Sequence, residues 1–154
     1  MAVFEISEML KVAIKDEEIG EAFYNAIAGR TSDERLKERL LQIAKQEVYH
    51  AARFRNILTN VKDSKPREQY QGEYDGYMNA LLTNRAFPDI ASAIAKASKA
   101  DDGECLDIAK RLEKDTILFY EELIKFVPSA YAVQINEIMN EERNHLADLT
   151  SLRA

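Results

Sequence analysis

The sequence predicts an all-α protein, a bundle of four long helices with a long connection between the second and the third. Its 154 residues are rich in Ala, Leu, Glu and Lys and include only five Gly and three Pro, which favours long helices. Apolar residues recur at helical spacing in four stretches. Gly and Pro interrupt this pattern mainly between Lys62 and Asp102. At this length we expect one domain spanning residues 1–154.

Composition excludes several classes of partner. The net charge of −6 and the pI of about 5.1 argue against binding to nucleic acid or to an anionic membrane surface. No apolar run is long enough to span a membrane, and residues 1–5 lack the apolar region of a secretory signal, so we expect a cytoplasmic protein. The single cysteine, Cys105, excludes an internal disulfide and is interpreted as a buried or half-buried thiol.

The first helix is predicted from about Glu5 to Gly29, with the glycine as its C-cap. Leu10, Glu17 and Tyr24 are spaced by seven and form an inward-facing column. The glutamate therefore occupies a core position where leucine would be expected.

The second helix is predicted from about Ser32 to Val61, with N-cap residues supplied by the Thr31–Arg35 segment. Glu47 and His50 fall in its two inward columns at the same height. The short connection to the first helix makes the two helices antiparallel neighbours.

The stretch from Lys62 to Asp102 is predicted to be a crossover that runs the length of the bundle. About forty residues are too many for an unstructured loop in a compact domain. Between its Gly and Pro residues, two short helices are predicted at about 75–83 and 89–99.

The third helix is predicted from about Gly103 to Val127, where Pro128 stops it, and carries Glu113 on its inward face. The fourth is predicted from about Ser129 to Leu152 and carries a second Glu-x-x-His sequence at Glu142 and His145.

The two halves of the chain repeat one pattern. The first and third helices share the pattern Ala-x3-Glu-x5-Phe-Tyr, beginning at Ala13 and Ala109. The second and fourth share Ile-x3-Glu-x2-His, beginning at Ile43 and Ile138. A pair of helices has been used twice, and both histidines of the chain belong to the repeat.

Six polar side chains are predicted to meet at mid-height of the bundle. Because positions i and i+3 share a helix face, each Glu-x-x-His can direct a carboxylate and an imidazole to one metal ion. Four ionised carboxylates in an apolar core would each cost several kcal/mol if unpaired, and two divalent ions would balance their charge. Two such helices and one Glu from each of two others form the ligand set of a di-metal bundle. The predicted ligands are Glu17, Glu47, His50, Glu113, Glu142 and His145.

We assign Glu47 and Glu142 as bridging carboxylates, because each lies beside its own histidine. Glu17 and Glu113 are then terminal ligands, one per metal. Tyr24 and Tyr120 lie two turns beyond these glutamates and either donate hydrogen bonds to carboxylates or pack in the core. The ligand types suit iron, manganese or zinc.

Other polar residues near this level are assigned to other roles. Glutamates off the inward columns are expected on solvated faces, and this set comprises Glu18, Glu21, Glu121, Glu122 and Glu141. Thr116, one turn after Glu113, is expected to pack in the core, with lining of the metal pocket as the alternative.

Glu-x6-Tyr on one helix and Glu-x-x-His on the next, repeated twice, resembles the ferritin-like superfamily and within it the rubrerythrin-type di-iron proteins. The resemblance covers all four long helices. It implies a ferritin-like four-helix bundle with two iron ions that reduces hydrogen peroxide, or more slowly dioxygen, with electrons from an external donor. The candidate catalytic residues are then Glu47, Glu142, Tyr24 and Tyr120.

The chain departs from rubrerythrins in two respects. It has no rubredoxin domain with Cys-x-x-Cys pairs, so a rubredoxin-like donor protein would have to supply the electrons. It has Thr116 where rubrerythrins carry an extra glutamate ligand, which predicts the plain symmetric ligand set. Relatives exchange helices between subunits, so a homodimer is expected. An iron-storage protein and a helical interaction module with a vestigial site are the alternative hypotheses.

Overall fold

A computed structural model of the protein describes residues 5–61, 73–83 and 85–152, and these residues form six helices. The all-α prediction is confirmed. Four long helices and two short ones are found where the sequence predicted them, with ends that differ by one or two residues. They are α1 Ile6–Arg30, α2 Glu34–Val61, α3 Glu73–Thr83, α4 Ile90–Lys99, α5 Asp102–Phe126 and α6 Ser129–Ser151.

Neighbouring long helices run antiparallel. The α1–α5 pair is joined near the middle of both helices by two reciprocal contacts, Tyr24 to Glu113 and Tyr120 to Glu17. Helices α2 and α6 are joined by an Arg53–Glu137 ion pair of 2.7 Å and by further contacts toward the other end of both helices. This arrangement brings the middles of all four helices to one level.

The crossover runs along the bundle, as predicted. At one end, Met78 of α3 belongs to the apolar cluster that also contains Val61, the last residue of α2, so α3 lies at this end of the bundle. At the other end, Arg30 donates hydrogen bonds to the backbone oxygens of Ala97 and Ala100, which ties the end of α1 to α4. The part of the predicted crossover at 62–72 lies outside the described residues.

Helix ends follow local hydrogen-bond chemistry. Gly29 was predicted as the C-cap of α1, and this is wrong: the helix continues through Arg30, and the Thr31 amide closes it on the Ile27 oxygen at 2.9 Å. Side-chain oxygens cap later helices, with Asp33 accepting from the Leu36 amide and Asp89 from the Ser92 amide.

Two apolar clusters fill the bundle on either side of a polar layer. One cluster gathers around Phe23, Leu40 and Ala109, and the other around Phe54, Phe119 and Ile138. Because the clusters exclude water from both sides, polar groups between them must satisfy one another or bind a ligand. None of the described helices is long and apolar enough to cross a membrane.

Candidate metal centre

The structure brings all six predicted ligands together in the polar layer. None of the six is more than 4% exposed. Helices α1 and α5 contribute one carboxylate each, and α2 and α6 each contribute a carboxylate and an imidazole one turn apart. The six residues are Glu17, Glu47, His50, Glu113, Glu142 and His145.

These residues form two overlapping groups, each able to surround one ion. The first group is Glu17, Glu47, His50 and Glu142, and the second is Glu47, Glu113, Glu142 and His145. In each group the potential ligand atoms all lie within 4.8 Å of one another. Glu47 and Glu142 belong to both groups, which is the position that a bridging carboxylate would occupy. Their metal-binding roles stay predictions.

Each imidazole directs Nδ1 into the cluster. The His50 Nδ1 lies 2.9 Å from the Glu142 Oε1 and 3.5 Å from the Glu17 Oε2. The His145 Nδ1 lies 3.0 Å from the Glu47 Oε1 and 3.7 Å from the Glu113 Oε1. The two rings are nearly parallel, with centroids 5.8 Å apart. The Nδ1 atoms are therefore the imidazole atoms available to metal ions.

The Nε2 atoms face outward and meet different partners. The His50 Nε2 contacts a carboxylate oxygen of Glu141, whereas the His145 Nε2 lies 2.5 Å from the amide oxygen of Gln46. These contacts fix the orientation of both rings. Glu141 was predicted to lie on a solvated face; its side chain is 37% exposed, and the contact with His50 is an additional role that was not predicted. The repeat carried the missed signal, because Gln46 and Glu141 each directly precede the shared glutamate of their helix.

The two tyrosines hold carboxylates across the bundle. The Tyr24 hydroxyl donates to the Glu113 Oε1 at 2.6 Å, and the Tyr120 hydroxyl donates to the Glu17 Oε1 at 2.6 Å. Each tyrosine therefore holds the carboxylate that lies on the other helix of the α1–α5 pair. Burial and the facing carboxylates raise the pKa of both hydroxyls well above the ordinary value, so they stay protonated and can donate.

Without metal, protons compensate part of the cluster's charge. Burial, followed by the charges of neighbouring glutamates, raises the pKa of Glu47 and of Glu142 well above the ordinary value. Burial also acts to raise the pKa of Glu17, but contacts with His50 and Glu47 outweigh it and lower this pKa to about 2. Burial lowers the pKa of His50, but the carboxylates of Glu17 and Glu141 outweigh it, and the net shift is upward.

The donor set fits two divalent metal ions. Buried oxygens of Glu17, Glu47 and Glu113 accept no well-aligned hydrogen bond from any described residue, which leaves them available for coordination. Oxygen and imidazole ligands suit iron, manganese and zinc. Six protein ligands around two ions also leave positions for an external molecule, as in catalytic rather than structural sites.

A glycine makes room for the shared carboxylate. Gly20 lies one turn after Glu17, and a Cβ atom built on it would lie 2.9 Å from the Glu47 Oε2. Because a helical Cβ would crowd this oxygen, the glycine lets α1 approach α2 at the level of the cluster. The spacing of residues along the sequence gave no sign of this role.

Two assignments away from the ligands are revised. Glu122 was predicted on a solvated face, but it is 8% exposed and contacts Lys125 at 2.9 Å. Thr116 was expected to pack in the core, with lining of the metal pocket as the alternative. It lines a small cavity beside Glu47 and Glu113, which corresponds to the alternative. Asp16 and Arg85 also line this cavity. Burial raises the pKa of Asp16 to about 7, and the Arg85 guanidinium acts in the opposite direction.

Comparisons with known proteins agree with this geometry. A solved structure of a candidate ferritin-like diiron-carboxylate protein from Thermotoga maritima has 29% identity and a TM-score of 0.78, covering 97% of this chain and 95% of that one. A hypothetical protein from Pyrococcus furiosus has 22% identity and a TM-score of 0.67, covering 96% of this chain and 87% of that one, and supports the fold alone. No curated protein matches significantly. The Rubrerythrin family model matches residues 8–153, and the chain therefore belongs to the rubrerythrin family.

Proposed function

We propose that the protein is a non-haem di-iron oxidoreductase that reduces hydrogen peroxide, or dioxygen, with electrons from a separate donor protein. The observation that supports it is the sharing of Glu47 and Glu142 by two four-residue ligand groups. Two ions held by these shared carboxylates would be close enough to act on one small molecule. A purely structural site would need only one closed set of ligands.

Each ligand has a defined place in the proposal. Glu47 and Glu142 would lie between the two ions, and His50 and Glu17 would complete one ion's ligands. Glu113 and His145 are the matching pair for the second ion. Iron is our assignment, because carboxylate and imidazole ligands suit it and the family includes di-iron proteins; manganese and zinc fit the same donors.

Two ferrous ions would supply the two electrons that, with two protons, convert one hydrogen peroxide molecule into two water molecules. The protein's own groups act around that chemistry. Tyr24 and Tyr120 keep their protons and hold the terminal carboxylates in place. The apolar clusters above and below the layer exclude water, which strengthens every charge interaction within it.

The electron donor belongs to the proposal as well. The 154 residues contain one cysteine, so they cannot themselves form a four-cysteine iron site. A reduced rubredoxin-like protein is the class of donor that we infer. A homodimer and a cytoplasmic location also stay predictions, and the former is checked by light scattering of the purified protein.

The test is metal loading followed by rapid kinetics. Protein loaded anaerobically with ferrous ion should hold about two irons per chain and react with peroxide faster than free ferrous ion does. His145→Ala should lose this uptake, whereas Asn144→Ala, at an exposed neighbouring position, should retain it.

Two results would contradict the proposal in different ways. Saturation with no faster oxidation than free ferrous ion would remove the peroxidase reaction. Iron uptake that continues far beyond about two ions per chain would favour storage instead.

A further inference from the structure

A small cavity lies against two of the predicted metal ligands, and neither histidine lines it. Its volume is about 20 Å³, and Gly20, Tyr24, Glu47 and Glu113 form its inner wall. This is room for about one water molecule. Both glutamates belong to the ligand groups, so a molecule in this cavity would lie directly against the candidate metal centre.

An outer groove of about 280 Å³ lies beyond the cavity, between α1 and the segment after α3. The groove and the cavity share a wall of four residues, which are Asp16, Ile19, Arg85 and Phe87. A molecule passing from the groove to the ligands must therefore cross this wall.

An ion pair forms the polar part of that wall. The Arg85 Nη2 lies 2.7 Å from the Asp16 Oδ2, and the two side chains are only 14% and 13% exposed. The guanidinium also lies over the Phe119 ring, 5.2 Å from its centroid. The ion pair is close but not aligned as a hydrogen bond, since the Nη2 and Oδ2 atoms find no hydrogen-bond partner among the described residues.

Arg85 is attached to the crossover, whereas Asp16 is fixed on α1. Rotation of the arginine side chain would separate the pair and remove the polar part of the wall between the groove and the cavity. Burial raises the pKa of Asp115, on α5, against the opposing effect of the Arg85 guanidinium, so a second carboxylate lies near the arginine.

We propose that the Arg85–Asp16 pair is a gate that admits small uncharged molecules to the metal centre, with Arg85 as the residue that determines this selectivity. The guanidinium opposes the passage of divalent cations, and the carboxylates behind it oppose anions. An uncharged molecule of about the size of water meets neither barrier. The identification of hydrogen peroxide as this molecule rests on the proposed function, whereas the route requires only that the centre binds ferrous ion.

The experiment measures access with a ligand that needs no turnover. Nitric oxide is small and uncharged, and its binding to the ferrous-loaded protein is followed by stopped-flow absorbance. Arg85→Ala and Asp16→Asn break the pair from opposite sides, and each should raise the binding rate by about tenfold or more. If the alanine variant does not fold, the asparagine variant decides the question.

Arg55→Ala is the matched control. Arg55 forms an ion pair of 2.9 Å with Glu18 at an exposed position and lines neither the cavity nor the groove. Its substitution should leave the rate unchanged. In the Arg85→Ala protein, the binding rate of azide, a small anion, should rise less than the binding rate of nitric oxide. An equal rise in both rates would overturn the assignment to uncharged ligands.

The outcomes separate this proposal from the proposed function. Unchanged nitric oxide rates in every folded gate variant would overturn the gate while leaving the peroxide reaction intact. A faster rate in those variants, with no oxidation by peroxide in the parent protein, would support the gate and refute the peroxidase. Absence of ferrous uptake by the parent protein would overturn both.

Discussion

Gly20→Ala is the substitution that most directly tests whether Glu47 binds metal where the structure places it. Gly20 lies inside α1, and nothing in its backbone geometry requires glycine. The new Cβ would lie 2.9 Å from the Glu47 Oε2, 3.6 Å from its Cδ and 3.7 Å from its Cγ. The clash is therefore confined to the end of one side chain.

The expected effect differs between the metal-free and the metal-loaded protein. Ordinary contact begins at 3.4 Å, so the carboxylate must retreat by about 3.4 − 2.9 = 0.5 Å. Without metal, a shift off the preferred rotamer costs about 0.5–1.5 kcal/mol and is offset by about 0.5–1 kcal/mol of helix propensity. With metal, the shift exceeds the roughly 0.2 Å that coordination distances tolerate, so we expect metal affinity to fall about tenfold or more.

Two measurements separate these effects. Urea unfolding of the metal-free variant should give a free energy within about 1 kcal/mol of the parent value. Calorimetric titration with Mn²⁺ should show the loss of affinity.

Gly29→Ala is the matched control, since it makes the same change in the same helix and its Cβ would meet nothing within 4 Å. It should leave affinity unchanged. If Gly20→Ala bound metal as tightly as Gly29→Ala, Glu47 would not be a ligand in the observed position.

Three further predictions follow from the same contacts. Glu141→Gln removes the charged partner of the His50 Nε2 and should weaken one of the two metal-binding steps about tenfold. Stepwise calorimetric titration measures the two affinities, and two unchanged affinities would contradict the prediction. Tyr24→Phe removes the hydrogen bond to Glu113, and Tyr120→Phe removes the one to Glu17. Each substitution should lower the free energy of unfolding, measured in urea, by about 1–3 kcal/mol. A loss below about 0.5 kcal/mol would show that the hydroxyls contribute little. The metal-free protein should become more stable as the pH falls toward 4.5, the ordinary pKa of a glutamate, because Glu47, Glu142 and His50 have pKa values raised by folding and so bind protons more tightly in the folded state. Glu17, whose pKa is lowered, contributes stability that is lost only at lower pH, as protonation proceeds from about pH 4.5 toward about pH 2. Metal affinity should change in the opposite direction and weaken as the pH falls, because the ligands must release these protons; urea curves at several pH values with and without Mn²⁺ check both signs.

The sequence alone predicted the helices and the residues that would meet. Helical periodicity marks an inward face, and a glutamate or histidine on that face is costly unless it has a partner, so the six polar residues stood out. The repeat added the pairing of helices, since each half carries one Glu-x6-Tyr helix and one Glu-x-x-His helix. Both signals are local or depend only on spacing along the chain, and for that reason they can be read without a structure.

Tertiary structure decided the contacts between residues that are distant in sequence. Tyr24 donates to Glu113 and not to a carboxylate of its own helix, and Glu141 reaches His50 from the edge of α6. Arg85 meets Asp16 only because the crossover passes over the groove beside α1. Such contacts depend on the distance and rotation between packed helices, to within about an ångström, and periodicity fixes only which face of each helix turns inward.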